Sequence, residues 1–344
     1  MARRSFLFVD RFVATLPIPF NRQQDVVDRI PETPHPYWRI AHFTRRSLYR
    51  TKFQLALASN VTLPQRQFDA LETEYEGRTA AQLGPVAYVS CDPIYRTQRF
   101  LRFEFSPNAA GSGGRTRLRR FLELLLADGY RQAISEARIT RLDIGFDVYR
   151  QPLRDLAISF RQGRKTRGTR VITGGDGEVE SIYTPGGATR QLAVYDKTRE
   201  INFQARKAAS ESSRRYVLLA DARTRFEYRW RKESFSWHDV GNLGNPFVRY
   251  DVREYQRNEP LIDAAIERLL FDAAASRNVG RLLGTLDGNS AKATSTMRRL
   301  LREAFARCPS PVWWDPVQIW TGLPAAIAEI GLYRGTRSRE DWAS

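Results

Sequence analysis

Apolar and polar positions alternate with a period of two along much of this chain, and that period marks a strand with two unlike faces. The clearest case is RITRLDIGFDVYR (138–150). Ile139, Leu142, Ile144, Phe146 and Val148 fall mostly on one face, and Arg141, Asp143, Gly145 and Asp147 on the other. RTRFEYRWRK (223–232) repeats the pattern, with Phe226, Tyr228 and Trp230 opposed to Arg225, Glu227, Arg229 and Arg231. FVATLPIPF (12–20) and YRTKFQLALAS (49–59) read as two strands expected to pair antiparallel, around a Pro-rich turn at 31–36. VAYVSC (86–91) and RFLRFEFSPN (99–108) read as two more. VESIYTP (179–185) and RQLAVYD (190–196) flank Pro-Gly-Gly-Ala and predict a hairpin.

Elsewhere the apolar period lengthens to that of a helix. FLELLLADGYRQAI (121–134) has leucines at helical spacing with Gly129 as its stop, and AAGSGGRTRLRR (109–120) before it reads as a Gly/Ser loop turning into a basic helix start. A short helix is expected near 152–161, a polar Arg/Gly loop over 161–178, and a helix from Lys197 to about Ser210. From 258 onward, with Asn258 as N-cap, the pattern is helical, and a soft boundary falls between 240 and 258. The expected fold is therefore α+β, an antiparallel sheet flanked by helices over 1–245, followed by a mostly helical C-terminal region, 246–344.

Composition narrows the partner. The 344 residues carry a formal charge of +17, more than solubility requires, and a field of that sign attracts polyanions. Of 55 basic residues 49 are arginines, whose planar fork suits phosphate and base edges; genome composition is the competing explanation. The Arg/Gly loop over 161–178 suits contact with a phosphate backbone or, equally, plain solvent. Cys91 and Cys308 fit no metal or redox spacing, which points to a reducing, cytoplasmic setting. No run of about 18 apolar residues predicts a membrane span.

Several chemistries lack their motifs. His35, His42 and His238 have no metal-ligand spacing, and neither a P-loop nor a dinucleotide fingerprint is present. What remains is a set of carboxylates, arginines and tyrosines. Asp143 and Asp147 share a face but stand roughly 13 Å apart along a strand, so one at most would ligate a given ion unless Gly145 makes a bulge. Glu227 would converge with Asp143 if their strands are neighbours, and oxygen-only ligation would select Mg²⁺ or Mn²⁺. The competing reading is a solvated sheet face of cross-strand ion pairs. Tyr195, at the end of RQLAVYDKTRE, would by default be a strand-end tyrosine with a packed ring and a wet hydroxyl.

The order ITRLDIGFDVY, SIYTPGGATRQLAVYDKTRE, RTRFEYRWR resembles the rolling-circle replication initiators of plasmids and filamentous phages and the related relaxases of integrative elements. The resemblance covers roughly 138–232 and rests on an R-[IL]-D-hydrophobic-x-x-D strand, a Y-[DNE]-K-x-x-E segment and an R-x-E-x-R strand. It implies a Rep/relaxase nuclease-like fold with ferredoxin-like elements. It also implies a DNA nickase whose tyrosine forms a 5′-phosphotyrosyl intermediate and frees a 3′-OH primer. Tyr195 then matches the nucleophile, with Tyr183 as its rival, and Asp143 and Glu227 match metal ligands for Mg²⁺ or Mn²⁺, with Asp147 second. Lys197 and Arg199 would hold phosphate oxygens, and Glu200 would orient a base or the metal shell. The implied partners are origin DNA, a host helicase and a polymerase. The hairpin departs from the family's Y-x-G-S-x-x-S, reading Tyr183-Thr-Pro-Gly-Gly-Ala-Thr. The tail segment MRRLLREAFAR (297–307) is an amphipathic packing helix or a duplex-reading one. A DNA- or RNA-binding regulator without chemistry, and a conjugative relaxase, stay open beside the initiator.

Overall fold

The alternating stretches become strands in the computed structural model, which describes residues 2–30, 38–42, 48–57, 86–95, 97–160, 170–176, 179–184, 189–212, 219–254, 303 and 308–332. In chain order the elements are β1 (Arg3–Arg4), β2 (Phe8–Leu16), α1 (Gln23–Asp28), β3 (Trp38–His42), β4 (Tyr49–Leu57), β5 (Val86–Pro93) and β6 (Leu101–Phe105). Then come α2 (Pro107–Leu126), α3 (Tyr130–Ser135), β7 (Arg138–Tyr149), β8 (Leu156–Phe160), β9 (Arg170–Thr173), β10 (Val179–Tyr183), β11 (Arg190–Asp196) and α4 (Lys197–Ser212). The last are β12 (Arg223–Phe235), α5 (Trp237–Gly241), β13 (Tyr250–Glu254), α6 (Pro316–Trp320) and α7 (Leu323–Ala328). The chain is α+β, and the β2/β6, β4/β5, β9/β10 and β10/β11 ladders are antiparallel, as the alternation leads one to expect.

Two compact units divide the chain: Met1–Leu7, Gly145–Arg229 and Gly244–Gly322 form one, and Phe8–Ile144, Trp230–Leu243 and Leu323–Ser344 the other. In the second unit, β3, β4, β5, β6 and β2 follow one another in antiparallel pairs. Phe121 of α2 meets Phe53 of β4 edge to face, and Phe12 of β2 stacks on Trp237 of α5 at 5.5 Å between centroids. The buried Trp237 indole donates to the Ile134 carbonyl at 2.7 Å, so its polar end is satisfied inside the core.

In the first unit, β9, β10 and β11 pair antiparallel and β12 lies beside β11, while β8 and β13 make a separate two-stranded ribbon. Its core is aromatic. Phe146 of β7 and Phe226 of β12 stack with centroids 5.1 Å apart and planes 2° from parallel, and Phe247 and Trp314 close around Phe146. Gly145 explains how the backbones come so close: a Cβ there would stand 2.7 Å from the Phe226 carbonyl oxygen.

Several expected elements come out differently. β2 begins at Phe8 and stops at Leu16, before Pro17, and pairs with β6, not with β4; β4 pairs with β3 and β5. The apolar alternation specifies a buried face but not which partner covers it. The expected Gly/Ser loop at 109–120 is part of α2, broken only at Gly111, whose φ of +61° suits a residue without a side chain. The helix expected near 152–161 is a 3₁₀ turn, Leu153–Asp155, running into β8, and residues 170–173 of the expected loop form β9. Apolar runs this short are ambiguous between helix and strand, and pairing with β13 decides this one. Helix α4 and the β10/β11 hairpin form as expected. The Pro-rich turn at 31–36, the turn residues 185–188, the loop at 161–169, the Asn258 cap and nearly all of 297–307 lie outside the described residues.

Candidate functional site

The hairpin sets the geometry. Its register pairs Ser181 with Tyr195 and Tyr183 with Ala193, and residues paired across an antiparallel ladder project to the same side. Tyr183 and Tyr195 therefore share one face, diagonal to each other. On the neighbouring strand β12, alternate residues 225, 227 and 229 also project together, and their contacts place them on that face.

Glu227 is the centre of the arrangement. Its side chain is almost fully buried, and it accepts from Tyr195 Oη at 2.9 Å, Arg229 Nε at 2.6 Å and Arg229 Nη2 at 3.2 Å. Burial pushes the carboxyl pKa up, but the Arg229 guanidinium, the Tyr195 hydrogen bond and the charge of Arg225 outweigh it, and the net shift is downward. Glu227 is thus ionised at neutral pH and presents an oxygen to the Tyr195 phenol. Arg229 also reaches the rival tyrosine, with its guanidinium carbon 5.8 Å from the Tyr183 ring centroid. Lys197, the first residue of α4, sits 5.8 Å from the Tyr195 ring centroid and pairs with Glu200 Oε2 at 2.6 Å.

The other named residues find different partners. Arg199 binds Asp176 at 2.6 and 3.1 Å, Glu180 at 3.3 Å and Asp196 at 3.7 Å, while Asp196 caps α4 by accepting the Arg199 backbone N–H at 2.9 Å. Arg199 and Asp196 border a cleft of about 180 Å³ with Pro152, Leu153, Val179 and Thr198. Asp147 accepts from Arg225 at 2.6 and 3.0 Å and stands 3.8 Å from Arg223. Asp143 accepts from Arg141 Nε at 3.0 Å, within its own unit.

All three carboxylates assigned to a divalent ion are therefore paired with a guanidinium. Among the described residues no three of His, Cys, Asp and Glu are grouped so as to hold a metal. The donor set as arranged does not fit an oxygen-ligated Mg²⁺ or Mn²⁺. The ion pairs weighed against metal ligation are present, but not on a solvated face: Asp143, Asp147, Arg225 and Glu227 are each 5% exposed or less. Two of the pairs, Arg141–Asp143 and Glu227–Arg229, join residues two apart on one strand, and Asp147–Arg225 joins two strands.

Arg229, which holds Glu227, is the residue of this arrangement to which the sequence alone assigned no role. Its signal was the i, i+2 spacing in Arg225-Phe-Glu227-Tyr-Arg229, which sets all three charged groups on one face. Among the described residues no helix is long and apolar enough to cross a membrane. Neither a protein-family model nor a curated protein matches this sequence.

Proposed function

We propose that this protein is a rolling-circle initiator that nicks one strand of origin DNA, with Tyr195 as nucleophile. The observation that carries the reading is the hydrogen bond from Tyr195 Oη to the buried, ionised Glu227. In the proposed step a Tyr195 Oη–P bond forms and the P–O3′ bond breaks. The phenolic proton leaves through Glu227 to water, and the O3′ leaving group takes a proton from water. The products are a 5′-phosphotyrosyl protein and a free 3′-OH. Arg229 keeps Glu227 ionised and aimed, and Lys197 adds positive charge beside the phenol and the negative charge that develops on phosphate. The net charge of +17 favours a polyanionic substrate. Origin DNA, a host helicase and a polymerase are the proposed partners, in the cytoplasm of the host.

Supercoiled plasmid carrying the cognate origin is the test substrate, incubated with and without Mn²⁺ or Mg²⁺, since the resemblance implies a divalent ion. The reading predicts nicked circles with protein covalently attached, lost in Tyr195→Phe. Nicking that survives Tyr195→Phe but not Tyr183→Phe moves the nucleophile to Tyr183 and leaves the class intact. The arginine pairing of all three carboxylates favours a second reading, a DNA- or RNA-binding regulator without nuclease activity; binding with no nicking would establish it. A conjugative relaxase would give the same adduct but act on a transfer origin.

A further inference from the structure

The polar face that carries Tyr195 continues to an aromatic that the proposed nicking reaction does not use. Tyr149 ends β7, two residues beyond Asp147, and so projects to the same side as Asp147. On one side it is paired in the ladder with Arg3 of β1. On the other, the Arg223 guanidinium carbon lies 4.6 Å from the Tyr149 ring centroid. The phenol is not sealed by these neighbours, since Tyr149 is 37% exposed and Arg3 is exposed as well. Arg150, next in the chain, is exposed and held at φ +60°, with its amide donating to the Ala222 carbonyl at 2.6 Å. Among the described residues the carboxylate paired with these cations is Asp147, which is 4% exposed, holds Arg225 at 2.6 Å and stands 3.8 Å from Arg223.

A partly exposed aromatic ring with a guanidinium over one face has the chemistry of a stacking step for a nucleic-acid base, with guanidinium groups for the flanking phosphates. A duplex buries the faces of its bases, so a ring of this kind is complementary to a single strand. Arg223 stands four residues from Glu227 on β12, about 13 Å along the strand, which is within the reach of a few nucleotides. We propose that Tyr149, flanked by Arg3 and Arg223, stacks a base of the single-stranded DNA whose scissile phosphate is presented to Tyr195. This subsite rests on the nicking reading for its place in the reaction, but its binding can be measured without any chemistry.

The test is fluorescence anisotropy of the full-length protein with a labelled, mixed-sequence single-stranded DNA, with a nicking assay on the same preparations. Tyr149→Ala is expected to weaken binding about tenfold, and Tyr149→Phe, which keeps the ring, to stay within about twofold of wild type. Tyr149→Leu keeps the bulk but not the π face and should bind as poorly as the alanine variant. Arg3→Ala and Arg223→Gln should each reduce the slope of log K against log salt by about 0.7. Equal binding by Tyr149→Ala and wild type, or equal loss in Tyr149→Phe and Tyr149→Ala, overturns the subsite. If wild type nicks while Tyr149→Ala binds normally, the subsite fails and the nickase stands. If binding depends on Tyr149 but no strand is cut, the nickase fails and a single-strand-binding surface stands.

Discussion

Tyr195 donates its phenolic hydrogen to Glu227 at 2.9 Å, from the strand end of β11 to a carboxylate buried on β12. That contact changes the meaning of both residues. The Tyr195 hydroxyl has a protein acceptor, and the Glu227 carboxylate is already paired with a cation. The two hold each other, and the two-pronged hold of Arg229 on Glu227 fixes where the carboxylate points.

Tyr195→Phe is expected to abolish covalent adduct formation while leaving the fold intact. The substitution removes one hydrogen bond to a charged acceptor and costs about 2 kcal/mol. Thermal denaturation should therefore show a lowered but cooperative transition, while the nicking assay falls to background. Tyr183→Phe should retain nicking, since the contact seen for Tyr183 here is between its ring and Arg229 and does not need the hydroxyl.

Glu227→Gln should destabilise the first unit by about 3 kcal/mol, because it leaves the Arg229 guanidinium beside a neutral group in a water-poor site. Chemical denaturation of the two proteins at neutral pH reads this directly. The acid dependence follows from the sign of the shift. The Glu227 pKa is lowered on folding, so its contribution is complete above the ordinary carboxylate range and is lost as pH falls through and below that range. Glu104, held down against burial by Arg11 and Arg102, acts in the same direction in the second unit. Glu227→Gln should accordingly flatten the fall in stability with acidification relative to wild type.

Gly145→Ala should destabilise by about 2 kcal/mol although it adds a single methyl group. The new Cβ would stand 2.7 Å from a backbone oxygen, which cannot rotate away as a flexible side chain would. β7 and β12 would have to separate, disturbing the Phe146–Phe226 stack. A drop in melting temperature together with altered near-UV circular dichroism would show this; an unchanged melting temperature would refute it.

Cys91 should resist thiol reagents in the native protein. It is fully buried in β5, and burial together with the nearby Asp92 charge pushes its pKa up to about 12, so almost no thiolate exists at neutral pH. Titration with an aromatic disulfide reagent should leave Cys91 unmodified until denaturant is added, with peptide mapping to identify the labelled cysteine. Rapid labelling of Cys91 in native buffer would contradict its burial.

The sequence by itself determined the α+β class, the long strand from Arg138 to Tyr149, the hairpin ending at Asp196 and the helix starting at Lys197. Those elements were legible because alternation, turn residues and helical spacing are local properties, readable within about a dozen positions. It also placed Arg225, Glu227 and Arg229 on one face of a strand, since a period of two requires it. Tertiary structure alone decided what that face meets. Strand order put β2 beside β6 instead of β4, and set β12 next to β11 so that Glu227 faces Tyr195. It also buried carboxylates that alternation had placed on the polar strand faces, and gave each of the three a guanidinium. Strand pairing joins residues far apart in the chain, and the free energy that selects a partner for Glu227 comes from burial and charge neutralisation that no local pattern records.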